Sequence, residues 1–223
     1  MSRLQQIEEA VREPLLNPVD RVSEMIFGLF MALTFVGVVS IATAGRDEVR
    51  TMLAAALGCN LAGGIVDGFM YLVRTLTERG RSLTLVRAVR AARDAKAGCK
   101  LIEGALSPAM AKVVSAVEIE AIRGRLVALP AVPERPRLLR DDLLAALAVF
   151  LIVVASTFPV ALPFVFFADA GTALFVSRAV ALGMMFMAGL ALGRYAGYGS
   201  WKTGIVMVCL GTLVVVVVIA LGG

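Results

Sequence analysis

Long apolar runs divided by short polar breaks dominate the pattern of this chain. A helix that crosses a bilayer needs about 20 consecutive apolar residues, and five runs reach that length. The short connectors after the first and third runs predict two helical hairpins, whereas the polar residues 74–142 separate the second run from the third. We therefore expect an all-α membrane protein with five transmembrane helices. The runs cover residues 22–43, 50–73, 143–167, 172–192 and 203–222.

The distribution of basic residues predicts the orientation. Of the 22 Lys and Arg residues, three lie in 1–22, fourteen in 74–140 and two in 193–202, which share one side of a five-helix protein. Because basic loops stay in the cytoplasm, we expect a cytoplasmic N-terminus and an external C-terminus. The polar start predicts no secretory signal peptide, which suits a bacterial inner membrane. The expected segments are a cytoplasmic amphipathic N-terminal segment (1–21), transmembrane helices 1–2 (22–73), a helical cytoplasmic segment (74–142) and transmembrane helices 3–5 (143–222).

The cytoplasmic segment has two interpretations. Residues 82–98 and 107–129 each predict an amphipathic helix. Their basic character favours anionic lipids as partners, with no need for nucleic acid. A metal-collecting domain is the alternative, although Glu118 and Glu120 are two residues apart and so lie on different helix faces.

Asp67 is the most informative residue of the second run. An Asp at the centre of a membrane helix costs roughly 2.5–3.5 kcal/mol on insertion scales, so a functional role is the default hypothesis. Small and polar residues recur around it at spacings of three and four, and such stripes let helices approach closely. Close packing explains the glycines but leaves the carboxylate unexplained. The stripe contains Asn60, Gly63, Gly64, Asp67, Met70 and Tyr71.

Helical rise places two thioethers near the depth of Asp67. Met31 on the first run and Met184 on the fourth both fall close to its level, about 10–13 Å inside the cytoplasmic edge. A carboxylate with thioether sulfur suits a transition metal such as Fe(II) and suits Mg²⁺ or Ca²⁺ poorly. Glu24, beside Arg21 at the start of the first run, is either part of an interfacial ion pair or an entry group for the metal.

Two further features interrupt the apolar runs. Arg178 has three interpretations: it bonds Asn60, it reaches toward Asp67 as a counter-charge, or it extends to the outer interface. Pro159 and Pro163 interrupt the third run. We expect these prolines to break the helix and to free carbonyl groups that a neighbour or a cavity must satisfy.

The second half of the chain resembles the vacuolar iron transporter family. The resemblance rests on a third helix with a Pro-xxx-Pro motif, on Gly-rich fourth and fifth helices, and on five helices with a cytoplasmic segment after the second. It implies a homodimer with the transport path between subunits, which exports Fe(II) or Mn(II) from the cytosol in exchange for protons. The matching stretches are residues 143–166, 173–194 and 201–223.

The resemblance also implies where the transported metal binds. Family members carry an Asp in the first helix and a Met in the second. Sliding residues 26–37 and 62–72 onto those patterns puts Met31 at the Asp position and Asp67 at the Met position. The pair is thus exchanged between the helices. The cytoplasmic segment departs from the family, whose metal-binding helices are rich in Glu.

These observations leave two main hypotheses. The first is a metal/proton antiporter with Asp67, Met31, Met184 and Glu24 as metal-binding residues, in which Fe(II) or Mn(II) is substrate and no cofactor is permanently bound. The second is a non-transporting scaffold or subunit that retains the transporter fold. We do not expect an enzyme, because there is no His, no nucleophile motif and no pair of nearby carboxylates. The three Cys are scattered and predict neither a disulfide nor a zinc site.

Overall fold

The computed structural model describes residues 18–38, 46–197 and 199–221, and these residues form helices joined by short loops. The chain divides into two compact units: residues up to 71 together with those from 141, here the membrane unit, and residues 72–140, here the basic unit. In chain order the helices are α1 Pro18–Val38, α2 Arg46–Arg90, α3 Ala95–Ala105, α4 Pro108–Val113, α5 Ala116–Val127, α6 Arg140–Ala161, α7 Pro163–Phe166, α8 Ala170–Ala196 and α9 Ser200–Ala220.

Four described segments are long and apolar enough to cross a membrane: Ala54–Arg90, Arg140–Phe166, Ala170–Ala196 and Ser200–Ala220. The fold is therefore that of an all-α membrane protein, as predicted. The first expected span, residues 22–43, overlaps α1 and continues beyond the described residues. The count of five helices thus stays a prediction, and the amphipathic N-terminal helix expected within residues 1–21 lies almost wholly outside the described ranges.

Helix α8 packs against α1, α7 and α9 in the membrane unit. Its Leu174, Ala181 and Met185 are fully buried in an apolar core with Leu29 and Leu33 of α1. Glycines let α8 and α9 approach closely: a Cβ added to Gly189 would lie 2.8 Å from the Cα of Gly204. Small residues at such contacts are typical of membrane helices, which gain little from hydrophobic burial and associate by close packing.

The proline pair breaks the third predicted helix at one point. Pro159 lies inside α6, and the break falls after Ala161, so that Pro163 begins α7. Proline is tolerated in a first helical turn because its missing N–H has no intrahelical partner there. The carbonyl of Val160 accepts a hydrogen bond of 2.5 Å from the buried hydroxyl of Ser177 on α8. A neighbouring helix therefore donates a hydrogen bond to a carbonyl beside the break.

The basic unit is built around a small core of Val89, Ile102 and Ile119. Helix α2 does not stop at Val73 but continues to Arg90. The prediction of a single helix over residues 82–98 is therefore wrong. Asp94 starts α3 instead, because its side chain accepts a hydrogen bond of 2.6 Å from the N–H of Ala97. Such a side chain satisfies a backbone donor that the first helical turn leaves open.

The helix predicted over 107–129 is also divided. Ser115 forms a capping box with Glu118 at the start of α5, so the chain turns between α4 and α5. Two arginines hold the proline-rich stretch that follows. Arg79 donates to the carbonyl of Arg137 at 2.7 Å, and Arg87 donates to the carbonyl of Pro133 at 2.6 Å. These arginines therefore have structural roles within the basic unit.

Candidate functional site

The polar stripe of α2 faces its neighbouring helices in the membrane unit. A Cβ on Gly64 would lie 3.1 Å from the ring of Phe150, and one on Gly68 would lie 2.9 Å from the carbonyl oxygen of Ala146. Asp67 between them is half-buried, and its Oδ2 atom is shielded from solvent. The opposite face of α2 is apolar and exposed, as a lipid-facing surface requires. Its large side chains are Leu61, Ile65, Val66 and Phe69.

Met31 of α1 lies against this stripe. A Cβ on Gly63 would be 2.8 Å from Cε and 3.0 Å from Sδ of Met31. Gly63 precedes Asp67 by four residues, which is one helical turn on the same face. The absent side chain at position 63 thus leaves room for the thioether one turn from the carboxylate. Met31 of α1 therefore contacts α2 one turn away from Asp67.

Asn60 is the most deeply buried polar side chain of the stripe. Only 1% of its surface is exposed, and neither Oδ1 nor Nδ2 has a hydrogen-bond partner within the part of the chain that the structure describes. Leaving a buried polar group unsatisfied costs about 1–3 kcal/mol. Its spacing of three and four residues from other polar and small residues places Asn60 on the stripe, but the sequence alone does not select it as a site residue. Its burial and lack of partners single it out.

Met184 occupies a different place. It lines a cavity of about 510 Å³ together with Met25 of α1 and Met187 of α8. The rest of the lining is aliphatic, and the lining includes neither Met31 nor Asp67. Matching depth alone placed Met184 in the expected layer, but depth does not determine which face of a helix a side chain occupies. The structure groups Met184 with Met25.

The remaining two candidates lie near the ends of α1. Glu24 is half-buried near its start. Near its other end, the guanidinium of Arg178 lies 3.5 Å from the carbonyl oxygen of Val36, to which it donates a long hydrogen bond. A cation beside carbonyl groups in the last turn of a helix is electrostatically favourable. This contact is a partner for Arg178 that none of its three sequence-based interpretations included.

The carboxylates considered for metal collection have other partners. Glu118 accepts hydrogen bonds from the backbone and hydroxyl of Ser115, which hold the pKa of its carboxyl below the usual range. Glu120 accepts from Arg123 at 2.6 and 2.8 Å and from the thiol of Cys99 at 3.2 Å. The bonds from Arg123, then that from Cys99, lower the pKa of Glu120 to about 2. Both carboxylates thus serve the fold of α5.

Across the described residues, no group of three or more His, Cys, Asp or Glu side chains is placed to hold a metal ion. The stripe of α2 carries the carboxylate of Asp67, and the thioether of Met31 lies one turn away at Gly63. Oxygen donors with one soft sulfur suit first-row transition metals better than Mg²⁺ or Ca²⁺.

In comparisons with known proteins, no family model and no curated protein matches this chain. The resemblance to the vacuolar iron transporter family, and the site residues that it implies, therefore stay predictions. The geometry of Asp67, Met31 and Asn60 is independent of that resemblance.

Proposed function

We propose that the protein transports a divalent transition metal, Fe(II) or Mn(II), across a membrane in exchange for protons. The observation that carries the proposal is the contact of the Met31 thioether with Gly63, one turn from Asp67. A carboxylate among apolar helices is costly, and the thioether beside it supplies a donor that transition metals accept.

Asp67 couples the two flows in this proposal. A carboxylate binds either a proton or a metal ion, so loading of the metal releases the proton and unloading lets the proton return. Met31 adds a neutral sulfur that binds Fe(II) or Mn(II) without taking up a proton at physiological pH. Glu24, half-buried near the start of α1, is proposed as an entry group, whereas Met184 belongs to the cavity with Met25.

The orientation and the partners belong to the same proposal. The basic unit carries fourteen Lys and Arg against six Asp and Glu, which supports a cytoplasmic location against anionic lipids. With the N-terminus in the cytoplasm, transport is export from the cytosol across a bacterial inner membrane. The exposed apolar faces of α2 and α9 offer surfaces for a homodimer or for lipid.

A second candidate is a non-transporting scaffold that retains this fold. It is favoured by the engagement of Glu118 and Glu120 with Ser115 and Arg123, because these carboxylates are not displayed for metal capture. The scaffold and the transporter predict opposite outcomes in a flux assay.

The test is reconstitution of the purified protein in liposomes that contain a pH-sensitive dye. Fe(II), Mn(II), Co(II) and Zn(II) are supplied in turn, and both metal entry and proton movement are recorded. We expect Fe(II) or Mn(II) to enter with counter-movement of protons. Asp67→Asn should reduce entry to the rate of empty liposomes, while Glu120→Gln, the matched carboxylate of the basic unit, should transport normally. Absence of flux for every metal with the wild-type protein would favour the scaffold.

A further inference from the structure

The membrane unit contains a buried amide without a hydrogen-bond partner among the described residues. Asn60 is 1% exposed, and neither of its polar side-chain atoms has a hydrogen bond there. Buried polar atoms in native proteins almost always have partners, so an exception calls for an explanation such as a ligand. Two buried hydroxyl groups of this unit show the contrast. Ser156 donates to the carbonyl of Val153 at 2.7 Å, and Ser177 donates to that of Val160.

The position of Asn60 relates it to the proposed transport site. It precedes Asp67 by seven residues, which places both on one face of α2, about 10 Å apart along the axis. Oxygen ligands lie about 2.0–2.6 Å from a divalent ion, so the two side chains are too far apart to bind one ion together. Gly63, where Met31 makes its contact, lies between them.

We propose that Asn60 is a second binding position for the transported divalent cation, one step beyond Asp67 on the same helix face. Its amide oxygen Oδ1 is the ligand, and the thioether of Met31 lies between the two positions. A neutral oxygen holds the ion more weakly than a carboxylate, which allows the ion to leave after it has been admitted, as conduction requires. This inference rests on the proposed function and adds the path that the ion follows.

The burial of Asn60 also indicates where that path runs. The side chain is buried within a single copy of the chain, so a route past it passes between the helices of one protomer. The family resemblance implies a path between two subunits instead. The route proposed for this chain therefore differs, at Asn60, from the path between subunits that the resemblance implies.

Asn60→Leu tests the proposal, because leucine has a similar size but no ligand atom. The maximal rate of Mn(II) entry into proteoliposomes should fall about tenfold or more, while the KM changes less than about twofold, because Asp67 still admits the ion. The midpoint of thermal unfolding in detergent should not fall, because the substitution removes two unsatisfied polar atoms. Leu61→Ala, at the adjacent exposed position, is the control and should leave both rate and KM unchanged.

An Asn60→Leu protein that is folded and transports Mn(II) at the wild-type rate would overturn the inference. Asn60→Asp provides a second measurement if the leucine variant does not fold. A carboxylate there should hold the ion, so we expect a lower KM for Mn(II) with a slower maximal rate, and wild-type values for both would also overturn it. Normal transport by Asp67→Asn would instead contradict the proposed function. If Asp67→Asn loses flux while Asn60→Leu keeps normal flux, only the second binding position at Asn60 is wrong.

Discussion

The membrane unit and the basic unit differ in what their polar side chains contact. In the basic unit, Glu118 and Glu120 accept hydrogen bonds from Ser115, Arg123 and Cys99. In the membrane unit, where a missing partner costs more, the amide of Asn60 has no hydrogen-bond partner among the described residues. We therefore expect substitutions on the stripe of α2 to affect the proposed transport more than substitutions of these two carboxylates.

The glycines of the two units meet different kinds of neighbour. On α2, a Cβ at Gly68 would lie 2.9 Å from the backbone oxygen of Ala146. In the basic unit, a Cβ at Gly98 would lie 2.9 Å from the side chain of Arg123, and one at Gly104 or Gly124 would meet nothing within 4 Å. The contact at Gly68 is thus with a backbone, which cannot move aside as a flexible side chain can.

The largest effect is expected from a bulky residue at that close contact. Gly68→Leu should lower the free energy of unfolding by about 3 kcal/mol, because backbone atoms of α6 cannot move aside as a flexible side chain can. Thermal unfolding of the purified protein in detergent measures the change. Gly58→Leu is the matched control on the same helix, since a Cβ there has open space. Equal midpoints for the two variants would contradict the close packing of α2 and α6.

The next prediction compares two methionines within the membrane unit. If the proposed site is right, Met31→Leu should raise the KM for Mn(II) about tenfold, because it removes the proposed sulfur donor one turn from Asp67 while keeping an apolar side chain of similar size. Met184→Leu should change the KM less than about twofold, because Met184 lines the cavity with Met25. Initial rates of Mn(II) entry into proteoliposomes give both values. A larger effect at Met184 than at Met31 would favour Met184 as a metal-binding residue, as depth matching predicts.

A smaller effect is expected from the ion pair of the basic unit. The folded-state pKa of Glu120 is about 2, below its ordinary value of 4.5, so the unfolded chain binds more protons between these two pH values. The stabilisation is therefore fully present above pH 4.5 and is lost as the pH falls toward about 2. Denaturant unfolding of the whole protein across this range should show the stability difference between wild type and Glu120→Gln shrinking at low pH.

The same variant tests the division of roles between the two units. Glu120→Gln should also transport Mn(II) normally. If Glu120→Gln abolished transport, the division of roles between the two units would be wrong.

The apolar runs were sufficient to predict the helical membrane architecture, because 20-residue apolar segments have few alternatives. Helix ends in the basic unit were harder to predict. The start of α3 is marked by one hydrogen bond, which the Asp94 carboxylate accepts from the N–H of Ala97. The extension of α2 to Arg90 crosses a polar stretch without any strong stop signal. The periodicity of apolar residues contains no information about such local contacts.

The site was predictable in part for a similar reason. A charge within an apolar run is visible in the sequence, so Asp67 was found, and depth along two helices favoured Met31. The face of α8 that carries Met184 depends on how the helices rotate against each other, which no single-helix pattern contains. The lack of partners at Asn60 depends on several helices at once and emerges only from the packed structure.

The smallest expected effect tests the open glycines of the basic unit. Gly124 lies inside α5, where a Cβ would meet nothing within 4 Å. Gly124→Ala should therefore raise the free energy of unfolding by about 0.5–1 kcal/mol, because alanine loses less conformational freedom in a helix. Denaturant unfolding followed by circular dichroism measures the gain. The same change at Gly68, where the added carbon meets the backbone of α6, should lower stability instead. Opposite signs are expected because an added Cβ meets the backbone of a neighbouring helix at Gly68 and open space at Gly124.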